Sequence, residues 1–193
     1  MADIEFVLGE LIALETMIPT VEGTPTDLPN GISGNHNGGV YIILNTYPYT
    51  VNTQNPLNPN RYMGVTTDFQ SRFGQRQAAC FELGLERQVL DGVGAFLGTV
   101  RYRNYGDVNW QDHDGYNSNN NELIVELDGN EYDIEHIFIK SSHEIFGGTI
   151  TNTNKIDALT NVGDYPLDIY ISWQNNNMQQ IRNCVIQPGG QIV

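Results

Sequence analysis

Clusters of Asn and Gly divide this chain into short segments, and they limit what it can fold into more than any other feature. The clusters occupy 30–39, 52–60, 104–121 and 174–177. Because Asn and Gly tolerate turn conformations that helices and strands avoid, these stretches indicate long polar loops. A chain of 193 residues is long enough for one sizeable core. The pattern therefore predicts a single globular domain with elaborated loops.

The segments between these loops predict an α+β fold, in which a small mixed or antiparallel β-sheet is flanked by helices and carries β-rich insertions and a C-terminal tail. Short runs rich in β-branched and aromatic residues predict the strands. These runs lie at 40–45, 61–65, 96–103, 123–127, 167–173 and 184–187.

Helices are expected at three places. Apolar residues recur at helical spacing over 4–17, and Asp3 is a suitable N-cap for that segment. Further helices are expected after Thr67 or Asp68, and after Asp133. Asp128-Gly129 predicts a hairpin turn. These elements predict an N-terminal helix and linker over 1–36, a core over 37–160 and a β-rich extension over 161–193.

The net charge of −14 limits how the chain can bind nucleic acid. It has 9 Lys and Arg residues against 23 Asp and Glu residues. Neutralisation of phosphates by basic side chains dominates nucleic-acid affinity, so this chain cannot offer a wide basic surface. Binding to nucleic acid would need a narrow local patch or a DNA-binding partner, or else would be weak.

Cysteine content and hydropathy indicate the compartment. Cys80 and Cys184 are too few and too far apart for a disulfide framework or a zinc site, which favours free thiols in a reducing compartment. The sequence contains no signal-peptide pattern and no apolar run of the ~20 residues that a membrane span needs. We therefore expect no membrane association and a cytoplasmic protein, with signal-peptide-independent export into a target cell as the alternative.

Four sequence features are informative because of the order in which they occur along the chain. Gly39-Val40-Tyr41 lies at the first core strand, and Tyr62-Met63-Gly64 lies at the second. Arg72 follows Tyr62 by ten residues, on the expected helix, and Glu135 opens a later helix. This arrangement resembles the GIY-YIG nuclease superfamily, which includes phage homing endonucleases and the incision subunit of bacterial excision repair. The resemblance covers roughly 38–156.

The resemblance also implies a site Asn, which matches Asn152, with Asn154 as the alternative. Two gaps are longer than in compact members of the family: 21 residues between the two tyrosines, and 63 residues from Arg72 to Glu135. Both gaps contain polar, turn-rich sequence that tolerates insertion. Some members keep an extra Lys or His near the second Tyr or after the Arg. Val65 and Arg76 stand in those regions here, which leaves the proton acceptor open.

Phosphodiester hydrolysis needs an activated water and neutralisation of the charge that develops on the phosphate. Glu135 is expected to supply one oxygen ligand to Mg²⁺, or Mn²⁺, which binds through one or two carboxylates plus water and substrate phosphate. Arg72 suits a bidentate contact with phosphate. The resemblance favours Tyr41 as the general base or water-orienting group, which requires a depressed pKa because a phenol ordinarily titrates near ~10. Tyr62 is expected to hydrogen-bond the phosphate or the attacking water, and Asn152 to position a phosphate oxygen or a backbone loop.

The resemblance therefore implies a divalent-metal-dependent endonuclease that acts on DNA, with RNA as the alternative substrate, and leaves a 5′-phosphate. A narrower hypothesis is a toxin-like effector nuclease held in check by an immunity or inhibitor protein. The alternative from another class is a non-enzymatic binding or structural module, phage- or surface-associated, which the acidic and Asn/Gly-rich composition favours.

Two rival metal sites have weaker patterns. Asp112-His113-Asp114-Gly115, with Asn117 and Glu122 beyond it, suggests a calcium loop, but Tyr116 and Asn117 stand where that loop needs an oxygen ligand and a Gly. His136 and His143 share one helix face without a third zinc ligand at hand. A solvated loop and an ordinary helix surface are the better interpretations.

Overall fold

The computed structural model describes residues 1–13, 39–44, 61–66, 94–113, 124–146, 163–175 and 178–193. Within these ranges the chain is mostly β, an α+β fold with little helix. The elements are β1 (Ala2–Ala13), β2 (Gly39–Leu44), β3 (Arg61–Thr66), β4 (Gly94–Arg103), β5 (Gln111–Asp112), β6 (Ile124–Leu127), β7 (Asn130–Asp133), α1 (Ile134–Phe146), β8 (Leu167–Asn175) and β9 (Met178–Ile186).

Seven of these strands form one mixed sheet, in the order β3-β2-β4-β1-β8-β9, with β5 pairing to β4. The β1–β8 pair is parallel, and the other pairs of this sheet are antiparallel. The strands predicted at 40–45, 61–65, 96–103, 167–173 and 184–187 are confirmed. The short strand β5 lies inside the stretch that the sequence assigned to a loop over 104–121.

Residues 2–13 form a strand, so the helix predicted over 4–17 is wrong for residues 4–13, and residues 14–17 lie outside the described residues. β1 lies between β4 and β8, and its residues 3–8 pair with strands on both sides. A register shift between Leu8 and Leu11 breaks the strand alternation. This β-bulge adds one residue, so apolar residues that alternate before it recur at helix-like spacing across it. Pairing with distant strands outweighed the local pattern.

One face of the sheet carries the hydrophobic core, which α1 and the β6–β7 hairpin cover. Phe6 on β1 contacts Phe138 on α1, with ring centroids 4.7 Å apart. Ile4, Phe6 and Leu8 point into this core, whereas Asp3 and Glu5 alternate onto the opposite face. Asp3 and Glu5 are nevertheless only 3% and 4% exposed, so the opposite face of the sheet is also buried at this strand.

The β6–β7 hairpin and the start of α1 follow the sequence closely. Asp128 and Gly129 both have positive φ, 50° and 78°, as a tight two-residue turn requires. The Asp133 side chain accepts hydrogen bonds from the backbone N–H groups of Glu135 and His136, at 2.9 and 3.2 Å. Asp133 therefore caps α1, and the helix predicted after it is confirmed.

The C-terminal strands complete the sheet on the far side of β1. Ala2 pairs with Leu167, and β8 pairs along its length with β9. The N-terminal and C-terminal segments are thus neighbours in one sheet. The predicted domain limits at 36/37 and 160/161 lie outside the described residues, as does the helix predicted after Thr67 or Asp68. Within the described part of the chain, no helix is long and apolar enough to cross a membrane.

Candidate functional site

The two tripeptides are brought together by direct strand pairing. On β2 and β3, Tyr41 pairs with Gly64, and Ile43 pairs with Tyr62. Side chains two residues apart on neighbouring strands are diagonal partners on one face. The rings of Tyr41 and Tyr62 accordingly stack, with centroids 6.3 Å apart and planes at 25°. The structure therefore unites two of the predicted site residues.

Gly64 has a packing reason to be glycine. A Cβ at this position would lie 2.5 Å from the Tyr41 Oη and 2.7 Å from its Cζ. Real side-chain carbons do not approach each other so closely, so the Tyr41 ring occupies the space above the Gly64 backbone. A side chain at the Gly of the second tripeptide would therefore force the Tyr ring of the first to move.

The two tyrosines differ in their access to solvent. Tyr41 has 0% of its surface exposed, whereas Tyr62 is only partly buried. A general base must come within hydrogen-bond reach of the water whose proton it takes. Of the two hydroxyl groups, that of Tyr62 is better placed to meet a water or a phosphate oxygen.

Glu135 lies in the first turn of α1 and is partly exposed. Phe138, three residues further along, packs on Phe6, on the sheet face opposite to Tyr41 and Tyr62. The helix also packs against β3, which carries Tyr62 and ends the sheet within the described residues, and against β9 at the other end. The structure therefore places the helix that carries Glu135 and the tyrosine pair on opposite faces of the sheet.

Two further predicted site residues, Arg72 and Asn152, lie outside the described residues, as does the alternative Asn154. Among the residues that are described, no three His, Cys, Asp or Glu side chains lie close enough together to hold a metal ion. This applies to His136 and His143 on α1. Most of the rival calcium pattern is not described, but His113 is, and its Nε2 donates to the backbone oxygen of Ile124 at 2.7 Å.

The face that carries the tyrosines also holds a buried ionic cluster that the sequence interpretation missed. Glu5 is 4% exposed and accepts hydrogen bonds from Arg101 Nε and from the Ser172 hydroxyl, each at 2.7 Å. Asp3 is 3% exposed and pairs with Arg103. The alternation of Asp3 and Glu5 with apolar neighbours was the signal that could have revealed it.

Trp110 covers this ionic cluster from outside. The guanidinium carbons of Arg101 and Arg103 lie 4.9 and 4.7 Å from the centroid of its ring. Tyr170 completes the cover by an edge contact with Trp110, at 6.3 Å between centroids. Cations over an indole face gain electrostatic stabilisation, which holds both arginines against the sheet.

Two groups at the margin of the ionic cluster have raised pKa values. Burial, followed by the charge of Asp3, raises the pKa of the Asp168 carboxyl. Burial, followed by the charges of Asp168 and Asp3, raises the pKa of the Tyr170 hydroxyl. The positive charges of Arg101 and Arg103 are already compensated by Glu5 and Asp3. The cluster therefore fixes the β4-β1-β8 alignment and is a poor phosphate site.

Comparisons with protein-family models, with curated proteins and with solved structures found no match to this chain.

Proposed function

We propose that this chain is a divalent-metal-dependent endonuclease of the GIY-YIG type that hydrolyses phosphodiester bonds in DNA. The observation that supports it is the pairing of the two tripeptides. Tyr41 and Tyr62 are 21 residues apart in sequence, yet their rings stack on one sheet face and Gly64 makes room for the contact. A shared role for the two tripeptides accounts for this arrangement.

In this proposal Tyr62 contacts the phosphate or the attacking water, because it is the tyrosine that solvent reaches. Tyr41 is wholly buried and positions Tyr62 through the ring stack. The sequence resemblance favoured Tyr41 as the general base or water-orienting group, and in this proposal that role passes to Tyr62 or to a group that Tyr62 orients. Arg72 keeps its proposed role as the phosphate-binding cation.

Glu135 would hold the metal. It is a partly exposed carboxylate, and among the described residues it belongs to no group of three metal-binding side chains, which suits Mg²⁺ bound through one or two carboxylates, water and substrate phosphate. When bound, the metal supplies an activated water and neutralises phosphate charge. The proposal requires the Glu135 carboxylate to reach the Tyr62 hydroxyl around the β3 edge of the sheet.

The test is plasmid nicking by the purified full chain in the presence and absence of Mg²⁺. Glu135→Ala is expected to lower cleavage at least about a hundredfold, because charge stabilisation at the phosphate is lost. Glu144→Ala is the matched control, since this exposed acid lies in the last turn of the same helix. If Glu135→Ala still cleaves DNA, the assignment of Glu135 as the metal ligand is wrong.

Two conservative variants separate the roles of the tyrosines. Tyr62→Phe is expected to lower the rate about a hundredfold if its hydroxyl takes part in proton transfer or phosphate contact. Tyr41→Phe keeps the ring stack and is expected to lose less than about tenfold. If the purified wild-type chain nicks no DNA with either Mg²⁺ or Mn²⁺, the non-enzymatic binding module becomes the better interpretation.

A further inference from the structure

We propose that Tyr105 and Tyr165 form a docking surface for a Lys- or Arg-rich segment of a partner protein. The two rings stack in the open, with centroids 6.1 Å apart and planes at 19°. Tyr105 is 67% exposed and Tyr165 is 65% exposed, and the neighbouring Val108 is 84% exposed. Exposed aromatic rings of this kind are typical anchors of protein interfaces, where they bury large area at low entropic cost.

The tyrosine that follows β4 is held in place by the β6–β7 turn. The backbone N–H of Tyr105 donates to both carboxylate oxygens of Asp128, at 3.1 and 3.3 Å. In return, the Asp128 backbone N–H donates to Asn104 Oδ1 at 3.0 Å. This two-way connection fixes the loop that presents the first ring.

The segment that presents the second ring is tied to the same hairpin. The backbone N–H of Gly163 donates to the Tyr132 hydroxyl at 3.2 Å. A Cβ at Gly163 would lie 2.7 Å from Asn130 Nδ2, so the backbone packs directly on the hairpin. Two chain segments are therefore preorganised on one support, which lowers the entropic cost of binding.

Acidic side chains flank the stacked rings. Asp128 is hydrogen-bonded to Tyr105, Asp164 precedes Tyr165 directly, and Asp107 lies two residues beyond Tyr105. All three carboxylates are exposed, and none of them forms an ion pair with Lys or Arg in the described part of the chain. Aromatic faces beside uncompensated carboxylates attract ammonium and guanidinium groups by both cation–π and charge-assisted contacts.

The charge around the two tyrosines indicates whether their partner is a protein or a nucleic acid. Single-stranded nucleic acid stacks its bases on exposed tyrosines, but it needs basic side chains to follow its backbone. The nearby Arg101 and Arg103 are already paired with Glu5 and Asp3, so the patch keeps its negative character. The net charge of −14 adds long-range attraction for a basic partner. A basic protein segment is the occupant that this surface fits.

The test is a titration of the ¹⁵N-labelled full chain with an octalysine peptide, in which changes of the amide chemical shifts are measured by NMR. We expect the largest shifts at 104–108, 128–129 and 163–165. Tyr105→Ala and Tyr165→Ala should each weaken the apparent affinity about tenfold, which is the size of a cation–π contact at a partly desolvated site. Asp164→Asn should weaken it as well, because a flanking charge is lost.

Glu144→Gln is the matched control, since it removes one exposed negative charge from the end of α1 and should leave the affinity within about twofold. Shifts spread evenly over the acidic surface would overturn the proposal. Unchanged affinity in the tyrosine variants would do so too. Equal shifts at the same amides with an eight-nucleotide single-stranded DNA would assign the surface to nucleic acid instead.

Discussion

The ion pair between Glu5 and Arg101 predicts which of two single substitutions destabilises the protein more. The Glu5 side chain is 5% exposed and the Arg101 side chain is 37% exposed, with 2.6 Å between Glu5 Oε2 and an Arg101 terminal nitrogen. Removing one partner of such a pair leaves the other in its place. A carboxylate that stays buried without its cation keeps its full desolvation cost, whereas a partly exposed guanidinium can be rehydrated.

The consequence is an asymmetry between two single substitutions. Arg101→Gln leaves Glu5 buried with Ser172 as its remaining described donor, and should lower the free energy of unfolding by about 3 kcal/mol, near the lower limit for a broken buried pair. Part of this loss is the contact of Arg101 with Trp110, worth about 1 kcal/mol. Glu5→Gln keeps a hydrogen-bonding side chain and leaves Arg101 partly in water, and should cost only about 1 kcal/mol.

Urea unfolding of the full-length variants, followed by circular dichroism at pH 7, measures these differences. The double variant Glu5→Gln, Arg101→Gln removes both charges and should be more stable than Arg101→Gln alone, because no uncompensated charge remains buried. Arg101→Lys, which keeps the charge and loses the fork geometry, should fall between wild type and Arg101→Gln. If Glu5→Gln is the more damaging single substitution, or if the two effects simply add, the assignment of the desolvation cost to Glu5 is refuted.

Three further predictions follow from other contacts. Gly64→Ala should destabilise the protein by about 1–3 kcal/mol, because the new Cβ displaces the Tyr41 ring; unfolding in urea measures this, and an unchanged midpoint would contradict the packing described. Burial and the Asp3 charge raise the pKa of Asp168 above its usual 3.8, so the folded state binds this proton more tightly than the unfolded chain. The stabilisation from this proton is complete below pH 3.8 and is lost as the pH rises through the raised pKa. Asp168→Asn should remove this loss of stability, as urea unfolding at a series of pH values from acidic to neutral would show. An equal loss of stability in Asp168→Asn would refute its assignment to Asp168. Burial raises the pKa of the Cys184 thiol to about 12. Alkylation of this thiol by iodoacetamide at pH 8 should therefore be about a thousandfold slower in the folded protein than in the protein unfolded by urea, as peptide mass mapping would show. Equal rates in the two states would show that the thiol is exposed to solvent.

Part of the candidate site could be predicted from sequence. The order of the two tripeptides suggested that Tyr41 and Tyr62 act together, and their strands proved to be neighbours with stacked rings. The position of Glu135 at the start of a capped helix was also predicted and is confirmed. The sheet face on which that helix packs depends on contacts such as Phe6 with Phe138, which no local pattern specifies.

The sequence by itself determined the elements whose signals are local. Asp128 and Gly129 adopt the positive φ values of a tight turn, and Asp133 caps the helix that follows, because each effect depends on residues within three positions of the one that causes it. Only the tertiary structure decided that residues 2–13 form a strand. Their apolar spacing fits a helix as well as a bulged strand, and the choice was made by partners as distant in sequence as Arg103 and Leu167. A strand gains its hydrogen bonds only from other strands, so a segment's neighbours in space decide between the two structures when its own sequence permits both.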